Sequence, residues 1–202
     1  KNINLVSIAS YDNDHYYQIL KCIKYKKNII VEKPMCLNLK QLKHIKKLLA
    51  KSKVKITSNL VLRVNDLFVN IKKEIKRENI FYVEADYIWG RVKKLFGWRS
   101  KIPDYSIILG AGIHVIDLVM WLINKKPHSV FAVANKIATN KSKFKKNSMV
   151  LIVLEFPKNI IVTTKKVRSL CLPYQVASAN ATGRPLSITA SLFNSVCTIT
   201  RP

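Results

Sequence analysis

The sequence predicts an α/β fold in two parts: a partial doubly wound parallel sheet, then an α+β domain with an open, mainly antiparallel sheet. Three observations predict it. Short apolar runs at residues 3–9 and 29–31 and a further strand at 54–57 alternate with amphipathic segments, the order of linked βαβ units. After residue 65 the pattern turns to alternation, with Phe81, Val83, Ala85, Tyr87 and Trp89 on one side of a strand. Pro157-Lys158-Asn159 then sits between two apolar runs, as in a β-hairpin.

Taken in order, residues 3–9 read as a parallel strand buried on both faces, followed by the polar turn 10–14. Tyr16, Ile19, Leu20 and Ile23 repeat at helical spacing, with Cys22 as a small core residue on the same face. Residues 29–31 form the second strand. Asn38 is placed to cap the next helix, with Leu42, Ile45, Leu48 and Leu49 inward. Residues 54–57 form a third strand and close the half-sheet.

The second part opens with a helix carrying Leu67, Phe68, Ile71 and Ile75 inward, then the alternating strand, read as half-exposed and antiparallel. A basic, aromatic loop fills residues 91–106. Ile113, Ile116, Val119, Met120 and Ile123 mark a helix. Strands follow at 130–134, 149–156 and 160–164, with a lysine-rich loop at 140–147. These readings divide the chain at 1–60, 61–167 and 168–202. The last stretch is a low-charge tail without Lys, Asp or Glu, in which no clear element shows. Translation past a frameshift or a misjoined gene end is the favoured account of such a tail, and an ordinary low-charge terminal strand pair is the alternative.

Composition narrows the function. At 202 residues and 49% hydrophobic, the chain can bury a real core. It holds no apolar run of eighteen residues, so no membrane-spanning helix is expected. A net charge of +25 points toward polyanions. Yet the charge is mostly lysine spread along the chain, with arginine only at 63, 77, 91, 99, 168, 184 and 201. The clustered arginine forks of nucleic-acid readers are missing, so a solvated surface is expected and no specific nucleic-acid partner. Cys22, Cys36, Cys171 and Cys197 form no CxxC pair, which argues against zinc and redox motifs and fits a reducing cytoplasm. No metal is expected.

Four segments in order resemble the Gfo/Idh/MocA oxidoreductases over most of residues 2–167. They are Ile8-Ala9-Ser10 through His15; Glu32-Lys33-Pro34; Leu62-Arg63 with Phe68; and Gly97-Trp98-Arg99 followed by Gly112-Ile113-His114-Val115-Ile116-Asp117 and Trp121-Leu122. The resemblance implies a Rossmann domain followed by a substrate domain, and hydride transfer between NAD or NADP and a sugar, sugar derivative or cyclitol. It implies Lys33 and His114 as catalytic residues and Ala9, Ser10, Tyr11, His15, Glu32 and Lys33 against the cofactor. It also implies Lys33, Trp98, Arg99 and His114 against the substrate. Lys33 is expected to polarise the substrate oxygen and His114 to relay its proton, the two meeting across a cleft. Pro34 restricts the backbone of Lys33 to extended geometry, which is expected to aim its ammonium into the cleft rather than continue the chain into a helix. Asp117 reads as structural, His44 as exposed, and Tyr82, Tyr87 and Trp89 either as lining for a sugar or as packing. A homo-oligomer through the sheet of the second domain is implied as well.

The sequence departs from that family in two ways. Where the family carries an acidic or amide residue four positions before its histidine, this chain has Gly110, so Gly110-Ala111-Gly112 is expected to form a wider turn with altered substrate contacts. No glycine precedes Gly90, which leaves no place for the GxGxxG phosphate turn. About sixty residues of a standard Rossmann domain are therefore expected upstream of Lys1, and weak NAD(P) binding by this chain alone. Two competing readings remain: an inactive or split member kept as a binding or assembly module, and a basic nucleic-acid-associated protein.

Overall fold

In the computed structural model the first apolar run becomes β1 (Leu5–Ile8), and the segment that follows repeats its apolar residues every three to four positions as α1 (His15–Lys24). Described are residues 2–75, 80–88, 92–166, 187–192 and 195–200. Trp89 and Arg91, named above, and the cysteine at 171 lie outside them. The chain separates into two units, residues 1–60 with 102–105, and residues 61–101 with 106–202.

In the first unit β1, β2 (Asn28–Val31) and β3 (Ile56–Ser58) form a parallel sheet in that order. α1 and α2 (Leu39–Leu49) are the crossovers. Asn38 caps α2 as expected, its Oδ1 accepting from the Gln41 backbone N–H at 3.0 Å. Two successive right-handed crossovers that advance in one direction put both helices on one face. Ile8, Ile29 and Val31 meet Ile19, Cys22, Ile23 and Ile45 there, in one buried cluster.

The opposite face corrects the expectation of burial on both sides: Leu5 and Ile30 are 54% and 38% exposed, and the aligned Ser7 and Thr57 are exposed too. Leu42 is a smaller correction. It lies at the edge of the helical stripe and faces solvent, while Ile45 is buried.

The second unit contains α3 (Asp66–Ile75), β4 (Tyr82–Tyr87), α4 (Trp98–Lys101), α5 (Ile113–Ile123), β5 (Ser129–Asn135), β6 (Met149–Phe156), β7 (Ile160–Lys166), β8 (Ser187–Leu192) and β9 (Ser195–Thr200). Its sheet runs β5-β6-β7-β4-β9-β8. All pairs are antiparallel except β4 with β7, so β4 is antiparallel on one side only, against β9. Lys158 and Asn159 both take positive φ, 71° and 56°, which matches the twist of the β6–β7 hairpin. The low-charge tail, in which no element was expected, supplies β8 and β9. Its backbone joins the sheet through β9 on β4, which corrects the favoured frameshift reading toward the terminal-strand-pair alternative.

Alternate residues of β6, namely Val150, Ile152, Leu154 and Phe156, are buried, and α5 packs on β4 and β7. α5 spans Ile113–Ile123, the helix that Ile113, Ile116, Val119, Met120 and Ile123 mark in the sequence; its buried side is Val115, Leu118, Val119 and Leu122, which shares only Val119 with that set. α5 is apolar almost all round, so periodicity could not choose its inner face. Leu67, expected inward on α3, is 39% exposed. Among the described residues no helix is long and apolar enough to cross a membrane.

Candidate active site

Parallel sheets present their functional loops beyond the carboxyl ends of the strands. In the first unit that edge is assembled from the residues following β1, β2 and β3. Ser10 leaves β1 and turns; its hydroxyl donates to Gln18 Oε1 at 2.9 Å. Ala9 is exposed, and the Tyr11 side chain is 57% exposed in the turn closed by the Asp14 N–H on the Tyr11 carbonyl. Glu32 continues β2 by one ladder bond, its N–H donating to the Ile8 carbonyl at 2.9 Å. Its carboxylate accepts from the Asn59 amide at 2.6 Å, and the Asn59 N–H donates back to the Val31 carbonyl at 2.8 Å. Lys33 is half-buried and is followed by a buried Pro34, after which the chain turns rather than entering a helix.

His15, expected against a cofactor, is instead enclosed. It is 0% exposed, with Nδ1 2.8 Å from the Pro34 carbonyl oxygen and Nε2 3.1 Å from that of Ser10. His44 is exposed as expected and meets the Tyr16 hydroxyl at 2.7 Å.

In the second unit His114 stands in the first turn of α5, half-buried, with Nδ1 fully enclosed. Its ring stacks on Tyr87, the last residue of β4, with centroids 5.8 Å apart and planes 15° from parallel. The segment before α5 is a π-helical turn, Ile108–Gly112, which is the wider turn expected at Gly110. A Cβ on Gly112 would meet only ordinary contacts at 3.8 Å and beyond, so the turn does not depend on a bare backbone there. Asp117, one turn along α5, accepts a two-pronged contact from Arg63, whose Nε donates at 2.6 Å. That hydrogen bond, aided by the Asp117 charge against some desolvation, holds the Arg63 guanidinium above its ordinary range. The 61–64 segment is thereby pinned to the helix that carries His114. On α4 the Arg99 guanidinium lies 4.1 Å over the Trp98 ring, both side chains half-buried.

The structure thus gathers Ser10, Glu32 and the Lys33 turn at one sheet edge, and separately sets His114 beside Tyr87. Sequence reasoning missed Asn59; the available signal was a polar residue just past the end of the third parallel strand. It also left open whether Tyr87 packs or binds. Among the described residues no group of three His, Cys, Asp or Glu side chains could hold a metal.

Comparison with known proteins agrees with the fold of the two units. Residues 1–60 match the profile of an oxidoreductase family with an NAD-binding Rossmann fold, and residues 72–178 match the C-terminal alpha/beta domain of the same family. The chain is 22% identical over 125 residues to inositol 2-dehydrogenase 2 of Saccharopolyspora erythraea, covering 61% of this chain and 36% of that protein. It is 21% identical over 131 residues to the uncharacterized oxidoreductase YhhX of Escherichia coli, covering 64% and 38%.

Among solved structures, the myo-inositol 2-dehydrogenase of Lactobacillus plantarum superposes with a TM-score of 0.75 at 18% identity, over 82% of this chain and 51% of that one. The scyllo-inositol dehydrogenase of Lactobacillus casei with bound NAD(H) and scyllo-inositol gives 0.69 at 17%, over 82% and 52%. The matched stretch spans about half of those structures and little more than a third of the curated relatives. The second profile alone takes in more than half of the residues and the first precedes it, so the chain belongs to the Gfo/Idh/MocA oxidoreductase family.

Proposed function

We propose that the native protein is an NAD(P)-dependent oxidoreductase that acts on a hydroxyl of a sugar, sugar derivative or cyclitol, with Lys33 and His114 working on the same substrate oxygen. One observation carries the reading: Ser10, Glu32, Lys33 and Asn59 all follow the carboxyl ends of adjacent parallel strands, where open α/β sheets take their ligands. The cyclitol preference of two structural neighbours supports the substrate class, since it is the class those proteins' names state.

The residues present fit part of a dinucleotide. Ala9, Ser10, Tyr11 and Glu32 border the strand ends where its nicotinamide half would lie, whereas residues 1–89 hold no glycine and so no glycine-rich pyrophosphate turn. The nicotinamide, when bound, supplies the acceptor for the hydride that leaves the carbinol carbon. Lys33 brings a compact ammonium that donates to the substrate hydroxyl oxygen and stabilises the negative charge growing on it. His114 takes the hydroxyl proton. With Nδ1 enclosed, Nε2 is the nitrogen for that task, and the neutral ring then carries its hydrogen on Nδ1. Stacking on Tyr87 fixes the plane of the ring. Trp98 and Arg99 supply an aromatic face and a fork of donors for further hydroxyls.

A homo-oligomer through the sheet of the second unit belongs to the same proposal. Its support is the open face of the sheet, where Phe131 and Val133 on the edge strand β5 are 63% and 46% exposed and Ile161, two strands away on β7, is 46% exposed on the same face. The second reading, a non-catalytic module, is favoured by Gly110, which offers no side chain where the family carries an acid or amide.

The test is turnover of myo-inositol and scyllo-inositol with NAD and NADP by the protein as its source makes it, as a function of pH. The wild type should lose rate as the pH falls and the base is protonated. His114→Ala should abolish that limb and cost roughly a hundredfold or more in kcat, the usual contribution of a positioned base. Unchanged turnover in His114→Ala would sink the assignment, and a wild type without turnover on any cyclitol or sugar would favour the module.

A further inference from the structure

We infer that His15 is a positioning residue for the candidate site, its ring joining the loop after β1 to the turn after β2 and thereby setting where the Lys33 ammonium stands; the inference rests on the reading of Lys33 given above. His15 opens α1 and is 0% exposed, although its neighbours Asp14 and Tyr16 are half-exposed. Both of its ring nitrogens face main-chain carbonyls, Pro34 at 2.8 Å and Ser10 at 3.1 Å. A carbonyl oxygen only accepts, so each contact is a hydrogen bond only when the ring nitrogen carries a hydrogen. A neutral ring serves one carbonyl at a time, and a ring with both hydrogens serves the two together.

The partners are what give this bridge a role. Pro34 is bonded directly to Lys33, and Ser10 lies between Ala9 and Tyr11. The ring adds to the β1–β2 ladder, which the Glu32 N–H on the Ile8 carbonyl extends to the foot of the two loops. The Ser10 hydroxyl cannot take over the bridge while it donates to Gln18. A histidine that merely fills space would need no such pair of acceptors at hydrogen-bond distance on two different loops.

The experiment uses the full chain labelled with 15N in its histidine rings. Only His15, His44, His114 and His128 contribute, so the signals lost in His15→Asn identify His15. A His15 ring N–H should exchange with solvent roughly a hundredfold more slowly than those of the exposed His44 and His128. Exchange as fast as theirs overturns the bridge.

In the native protein His15→Leu keeps apolar volume and no donor, and should cost at least about tenfold in kcat, the order lost when a reacting group is displaced. His15→Asn keeps an amide nitrogen near the place of Nδ1, and should recover most of that kcat. Equal kcat in the two variants overturns the positioning role. A silent Lys33→Met would sink the site reading and the role that depends on it, while leaving the slowly exchanging ring hydrogen in place.

Discussion

The two sheets are both covered on one side, yet their strands announce this differently. In the second unit β6 alternates strictly, with Val150, Ile152, Leu154 and Phe156 buried and the residues between them half-exposed, so a one-sided sheet is written into the pattern. In the first unit β1 and β2 are apolar on both sides, yet only Ile8, Ile29 and Val31 are enclosed and Leu5 and Ile30 are not. Strand pattern thus records what burial a strand can use. Connection handedness decides which face the chain's own helices reach. Here both crossovers bring α1 and α2 to the same face.

The widest test of that contrast sets the two faces of the first sheet against each other. Ile19→Ala removes a fully enclosed side chain from the α1 interface and should cost about 2–5 kcal/mol of unfolding free energy. Leu5→Ala on the open face should stay within about 0.5 kcal/mol. The tryptophans, at 89, 98 and 121, all belong to the second unit. Denaturation followed by far-UV circular dichroism should therefore register Ile19→Ala, while tryptophan fluorescence keeps its midpoint. A Leu5→Ala as costly as Ile19→Ala would show that the open face is covered in solution, and the comparison would break.

Where local chemistry speaks, the sequence was readable. The Asn38 cap, the hairpin at Lys158-Asn159 and the span of β6 follow from side-chain type and alternation alone. It was silent where choices are made by tertiary partners. α5 is apolar apart from His114 and Asp117, so its pattern marks a helix without choosing which apolar residues turn inward. β8 and β9 lie in a stretch whose serines, threonines and alanines carry weak periodicity, and they become strands by pairing with β4. The parallel pairing of β4 with β7 joins residues about eighty apart, beyond the reach of any local signal.

The site divides in the same way. Lys33 and His114 came from motif resemblance and not from periodicity. The bridging geometry of His15 was invisible because its partners are backbone carbonyls, which every residue possesses.

A second test sharpens the difference in how the two halves of the site are held. In the first unit the site is tied by contacts of the His15 ring with main-chain carbonyls; in the second, by the Arg63–Asp117 ion pair. Asp117 keeps 15% of its side-chain exposure but Arg63 keeps 42%, so solvent screens the pair considerably. Arg63→Met should lower the tryptophan-monitored stability by about 1 kcal/mol at low salt. Molar salt should shrink that difference and leave the circular-dichroism effect of Ile19→Ala unchanged. A loss that ignores salt would mean that Arg63 contributes through packing of its stem instead of its charge.

The smallest expected effect concerns Cys22 and Cys36, both on the helix-covered side of the first unit's sheet. Burial pushes both thiols above the ordinary value of 9.0, and for Cys36 a contact with the Asn38 backbone pulls partly back. A raised value means the folded state holds its proton more tightly than the unfolded one. Stability is therefore unaffected below pH 9 and falls as the pH rises through and beyond the unfolded thiol's value. It also means less thiolate, the reactive form, at any moderate pH. At pH 8, peptide mapping after iodoacetamide treatment should find Cys22 and Cys36 alkylated about tenfold or more slowly than free cysteine. In Ile19→Ala, which opens the same cluster, the rate should climb toward the free value while the tryptophan signal stays native. Fast alkylation in the wild type would mean that the α1–α2 face opens on its own, and that the first unit is the looser of the two on both of its faces.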